Sequence, residues 1–218
     1  MPVICPTVTA FDPHEYREQM ERIAPFAKRV HIDLMDGQFA PTKSPELERI
    51  WWPHYTSADI HLMYQSPMDY LQQLITLNPR LVIIHIEAKT DHMLFAAELH
   101  KAGIAAGLAI LADTPLEAAD QVMHSFDQVL IFSGKLGYHG GEADLSLLER
   151  VGQVKQHHPE AEIAWDGGIN DHNAKQLIDA GVDVLNAGGF IQNAPDAQAA
   201  YATLEAVVGN RDGKEADD

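Results

Sequence analysis

The chain has 218 residues, 46% hydrophobic and 22% charged, which predicts a globular protein large enough for a full core. Asp and Glu number 32 against 15 Lys and Arg, and the formal net charge of −17 argues against nucleic acid and anionic membrane surfaces as partners. No long apolar run and no signal peptide is evident, so a cytoplasmic protein that does not span a membrane is expected.

In chain order, "VICPTVTA" (3–10) is the first predicted strand, and Cys5, the single cysteine, reads there as a buried core thiol. The second, "VHIDLMD" (30–36), alternates so that His31, Asp33 and Met35 share one face and Ile32 and Leu34 the other. An imidazole beside a carboxylate fits either a hydrogen-bonded polar patch or a metal or proton-transfer site. Further strands are predicted at 59–64, 81–88, 105–111, 128–134, 162–168 and 183–189.

Helical patterns run over 66–77, 91–103, 145–158 and 171–181. Ser66 before Pro67 signals one start, and Gly103 and Gly181 signal two ends. Eight strands alternating with helices predict a single-domain (β/α)₈ TIM barrel over 1–208. A doubly wound open sheet is the alternative, weakened by the lack of a GxGxxG after the first strand. The stretch 209–218, "GNRDGKEADD", reads as a disordered acidic tail.

A barrel places its active-site groups at the C-terminal ends of the strands. His31, Asp33 and Met35, His61 and Met63, His85 and Glu87, Asp166, and the pair Gly188-Gly189 all fall there. His85 is expected to support the site from the inward face. His54, His92, His100, His124, His157 and His158 are expected to be solvated. Trp165 should face outward, and Trp51 and Trp52 should pack the second helix.

"HIDLMDGQFAP", "DIHLMYQSPMDYL", "IIHIEA", "GLAILADTPLE" and "AWDGGIN", in this order, resemble the ribulose-phosphate 3-epimerases. That resemblance implies a ribulose-phosphate-binding barrel that inverts C3 between ribulose 5-phosphate and xylulose 5-phosphate. It implies metal ligands at His31, Asp33, His61 and Asp166, with Asp33 and Asp166 also the catalytic acid–base pair. It places Met35 and Met63 on the metal side and Thr7 near the substrate. One carboxylate on each side of the sugar can remove and return the C3 proton, and a divalent cation can offset the enediolate charge. Zn²⁺ suits such mixed ligands best, and Mn²⁺, Fe²⁺ or Co²⁺ also fit.

The expected partner is a phosphorylated ketose, and a homo-oligomer is expected. An acidic chain can still bind phosphate through backbone N–H groups. The pairs Gly140-Gly141, Gly167-Gly168 and Gly188-Gly189 are the candidates for that contact, with tight turns as the alternative.

The chain departs from the family pattern at "IFSGKLGYHGGEADL" (131–145). Phe132 replaces a methionine, Lys135 and Leu136 replace an acidic residue and a proline, and His139 looks inserted. Gly189 replaces a small hydroxyl residue, and Asn186 stands where an aliphatic residue is usual. These departures imply either a divergent substrate or a lower phosphate affinity, and a hexulose 6-phosphate such as allulose 6-phosphate is a second substrate candidate. Competing expectations are a non-catalytic phosphosugar-binding barrel and, further off, a related lyase. The lyase pattern Asp-x-Lys-x-x-Asp finds no lysine at Asp33-Leu34-Met35-Asp36.

Overall fold

The computed structural model describes residues 1–209. Eight parallel strands close into a barrel in chain order. They are β1 (Val3–Thr9), β2 (Arg29–Met35), β3 (Ser57–Met63), β4 (Leu81–His85), β5 (Ala105–Leu111), β6 (Gln128–Phe132), β7 (Glu162–Asp166) and β8 (Val184–Ala187). The closing register pairs Val3 with Val184 and Cys5 with Asn186.

The helices are α1 (Pro13–Ile23), α2 (Leu71–Leu77), α3 (His92–Lys101), α4 (Leu148–His157), α5 (Ala174–Asp179), α6 (Gly189–Gln192) and α7 (Ala197–Gly209). The regular strand–helix alternation is incomplete. Only a 3₁₀ turn, Leu47–Arg49, lies between β2 and β3, and two such turns, Leu116–Ala119 and Met123–Ser125, lie between β5 and β6. Trp51 consequently has no full second helix to pack; its ring meets Tyr16 of α1, whose hydroxyl donates to the Trp51 carbonyl at 2.6 Å. Trp52 packs against the outer core.

Local chemistry fixes several boundaries. The Asp12 side chain accepts from the N–H groups of His14 and Glu15 and caps α1, and Asp91 caps α3 through Leu94. Ser66 makes no such side-chain bond. The predicted ends of β4, β6, β7 and β8 run two or three residues too far, because the backbone there turns into the loops of the barrel mouth. The stretch predicted as a tail lies outside the described residues apart from Gly209, which ends α7.

Two apolar layers form the core. The outer one lies between strands and helices and includes Trp165, facing outward as its parity requires. The inner one fills the barrel with Cys5, Leu81, Ile83, Ala109, Leu130, Ala164 and Val184. Burial pushes the Cys5 thiol pKa well up, so it is a neutral core group.

Below that layer, at the N-terminal strand ends, Arg29 donates to Asp59 at 2.7 Å and to both Glu162 oxygens at 2.9 and 2.7 Å. Inward parity thus gives β2 a basic foot at Arg29 and a His–Asp head at the barrel mouth. Among the described residues no helix is long and apolar enough to cross a membrane.

Candidate active site

Inward-facing positions of three strands meet at the C-terminal mouth. His31 and Asp33 come from β2, His61 from β3 and Asp166 from β7. Register places Asp33 beside His61, and barrel closure brings Asp166 to both. Their ligand atoms all lie within 4.8 Å of one another.

The separations within the group are short. His31 Nε2 lies 3.2 Å from Asp33 Oδ1, 3.6 Å from Asp166 Oδ2 and 3.3 Å from His61 Nδ1. His61 Nδ1 lies 2.9 Å from Asp33 Oδ1 and 3.7 Å from Asp166 Oδ2. A tetrahedral cation with N and O ligands at about 2.1 Å sets its donors about 3.4 Å apart. The donor set and its spacing therefore fit one divalent metal ion.

The electrostatics agree. Burial opposes charge on His31, but the carboxylates of Asp166 and Asp33 outweigh it and hold its pKa up at about 10. Burial likewise opposes charge on Asp33, and His31 and His61 outweigh it and hold that carboxyl well below the usual range. His31 therefore holds a proton between two carboxylates, a place that a cation can take.

A chain of rings supports the cluster. His61 Nε2 faces His85 Nε2 at 2.8 Å, and His85 Nδ1 faces Glu87 Oε2 at 3.4 Å. Burial, with the like charge of His61 opposed by Glu87, pulls His85 down to about 4. A neutral His85 with its proton on Nδ1 accepts from His61 Nε2–H and leaves His61 Nδ1 with a free lone pair for a metal. Phe132 sets its ring centroid 5.9 Å from that of His61 and 5.8 Å from that of His85.

Above the cluster is a cavity of about 280 Å³. Asp33 and Asp166 both line it, from walls separated by β1 and β8. Thr7, Met63, Gly140, Gly141, Gly167, Gly168, Gly188 and Gly189 line it too. Met35 is not among the lining residues; it is fully buried with Ala40 and Met63, and Thr42 Oγ1 lies 3.1 Å from its sulfur.

Gly167 and Gly168 have a second reason to be glycine. A Cβ on Gly167 would meet Gly134 N at 2.3 Å, and one on Gly168, with φ +71°, would meet Ala143 N at 2.0 Å. The loop after β6 thus packs directly on the loop after β7. It is also tied to the loop after β2, where Thr42 Oγ1 donates to the Gly137 carbonyl at 2.5 Å. Lys135 is exposed, with Nζ 4.5 Å from the Tyr138 ring centroid, and is not among the residues lining the cavity.

Asp36 has a structural task. Its carboxylate accepts from the N–H groups of Gln38, Phe39 and Gln65, pinning the turn that ends β2. Two histidines differ from the solvated reading. His92 is half-buried on the His85 carbonyl, and His158 is half-buried on that of Phe126.

Thr9 escaped the sequence reading. It is buried, lines the cavity and donates from Oγ1 to Asp33 Oδ2 at 2.7 Å. The signal was its parity: Cys5, Thr7 and Thr9 alternate along β1.

A family model described as the ribulose-phosphate 3 epimerase family matches residues 3–192. Ribulose-phosphate 3-epimerase of Mycobacterium leprae is 30% identical over 216 residues, covering 95% of this chain and 96% of the relative. The enzyme of that name from Helicobacter pylori is 29% identical over 212 residues, covering 94% and 97%. Among solved structures, 3-hexulose-6-phosphate synthase from Salmonella typhimurium shares the fold, with a TM-score of 0.69 at 15% identity, covering 96% of this chain and 99% of that one. The match along nearly the whole barrel, over the strands that carry the His–Asp cluster, places this chain in the ribulose-phosphate 3-epimerase family.

Proposed function

We propose that the protein inverts C3 of a phosphorylated ketose, with ribulose 5-phosphate and xylulose 5-phosphate as the first pair to test. The observation that carries this reading is the placement of two carboxylates, Asp33 and Asp166, on one cavity beside a four-donor metal-binding arrangement. Inversion next to a carbonyl requires proton removal on one face and proton return on the other.

Asp33 is ionised and enters as the base in one direction. Its Oδ1 belongs to the donor cluster, while Oδ2 is oriented by Thr9 Oγ1. Asp166 returns the proton on the opposite face, and the roles exchange in the reverse reaction. A divalent cation held by His31, Asp33, His61 and Asp166 would supply positive charge for the enediolate; zinc suits the donors best, and manganese, iron or cobalt also fit. The loop after β6 lines the cavity and would exclude water from the reacting carbon. Gly140, Gly141, Gly167, Gly168, Gly188 and Gly189 would cradle the phosphate through their backbone, with Thr7 beside the sugar.

The changed loop, part of which lines the cavity, supports a different sugar as the second reading, a hexulose 6-phosphate such as allulose 6-phosphate. Metal-loaded protein should be given both sugar phosphates, with C3 inversion followed by NMR. Higher kcat/KM for the pentulose supports the first pair, and higher kcat/KM for the hexulose supports the second. Binding of both without inversion of either would favour a non-catalytic phosphosugar-binding barrel.

A further inference from the structure

Asn186 is an inward-facing residue of β8, paired in register with Asp166 of β7 and Cys5 of β1. It is 2% exposed and lines the cavity. Neither its Nδ2 nor its Oδ1 has a hydrogen-bond partner. Thr7 Oγ1, on the neighbouring strand and lining the same cavity, is also unpartnered.

Leaving a buried amide unpaired costs stability, and an aliphatic side chain in this place would avoid that cost. The amide is therefore poorly explained by packing. It offers one donor and one acceptor, which matches a sugar hydroxyl, a group that both donates and accepts.

Position along the strand narrows the choice of hydroxyl. Asn186 stands two residues before Gly188 and one strand from Asp166. It thus stands level with the acid at the reacting carbon and below the glycines that line the cavity, on the side of the reacting carbon that faces them. We infer that Asn186 is a specificity-determining residue that hydrogen-bonds the substrate hydroxyl between the reacting carbon and the phosphate, the C4 hydroxyl of a pentulose 5-phosphate. This inference rests on the proposed epimerase reading.

The test pairs Asn186→Val with a 4-deoxypentulose 5-phosphate on metal-loaded enzyme. Wild type should lose about ten- to hundredfold in kcat/KM on the deoxy sugar, because the amide then stays unpaired. Asn186→Val should lose a comparable factor on the parent sugar and discriminate between the two less than about threefold, the non-additivity of a direct contact. The ligand-free variant should also melt about 2–4 °C higher, since a buried unpaired polar group has gone.

Additive losses, or an unchanged kcat/KM on the parent sugar, would overturn the contact. A lower melting temperature would do so too, because it would mean the amide has a structural partner. If Asn186→Val does not fold, Asn186→Thr is measured on the same two sugars, and full wild-type discrimination by it overturns the inference. Absence of C3 inversion by wild type would overturn the epimerase reading and the contact with it. Normal wild-type inversion with an unresponsive Asn186→Val would overturn the contact alone.

Discussion

Thr9 Oγ1 donates to Asp33 Oδ2 across 2.7 Å of buried space, joining β1 to the carboxylate that heads β2. That bond holds Oδ2 while Oδ1 faces His61 Nδ1 at 2.9 Å, and both Thr9 and Asp33 line the cavity. Thr9 is a positioning residue in this account. Thr9→Val keeps the shape and removes the donor. It should lower kcat about tenfold with KM nearly unchanged, and it should shift the pH profile of kcat, which a packing defect alone would not move. Equal kcat and an identical profile would remove Thr9 from the site.

Metal binding should be coupled to protons. In the cation-free protein His31 has a pKa of about 10, so near neutral pH it carries a proton that a cation must displace. Titration calorimetry in buffers of different ionisation enthalpy should show release of about one proton at about pH 7.5. The apparent affinity should rise about tenfold per pH unit over that range. His31 also contributes stability to the cation-free protein that is present below its unfolded value of 6.5 and lost as pH rises through 10.

The foot of the barrel should govern acid stability. Burial opposes charge on Glu162, but Arg29 leads the groups that outweigh it and draw its pKa down to about 2 from 4.5. A depressed carboxyl contributes stability that is present above pH 4.5 and lost as pH falls through 2. Glu162→Gln should cost on the order of 2–3 kcal/mol at pH 7, measured by urea unfolding, since Arg29 keeps Asp59 as a partner. The gap between variant and wild type should narrow at low pH. A constant gap would mean the loss is one of packing.

Gly168 tests the loop after β6. Adding a methyl group at a φ of +71°, 2.0 Å from the Ala143 nitrogen, must displace the loop after β6. Gly168→Ala should keep its metal, lose about ten- to hundredfold in kcat/KM, and become more sensitive to proteolysis between residues 134 and 144. Wild-type activity together with increased proteolysis would show that this loop can move away without consequence.

Period two put His31, Asp33 and His61 on the inward face toward the barrel mouth, together with Met35, Met63, His85 and Glu87, but it was the family resemblance that separated the four candidate ligands from their neighbours. Asp166 needed the barrel prediction as well, since closure alone brings β7 to β2. The missing second helix was not legible. "PELERIWW" carries amphipathic character, yet the chain there holds only Leu47–Arg49 as a 3₁₀ turn. Thr9 was visible by parity, but its bond to Asp33 depends on a register between strands 24 residues apart. Asn186 was visible as an unusual residue, while its lack of partners is a property of the packed barrel.

The most direct test of the account is deuterium uptake at C3. Metal-loaded wild type, Asp33→Asn and Asp166→Asn would each be incubated with ribulose 5-phosphate in D₂O and the xylulose 5-phosphate examined by NMR and mass spectrometry. The wild-type product should carry one solvent deuterium at C3, and inversion should be slowed by at least about 10² in each variant with metal retained. Product formed without deuterium at C3, or either variant inverting C3 at the wild-type rate, would contradict the account.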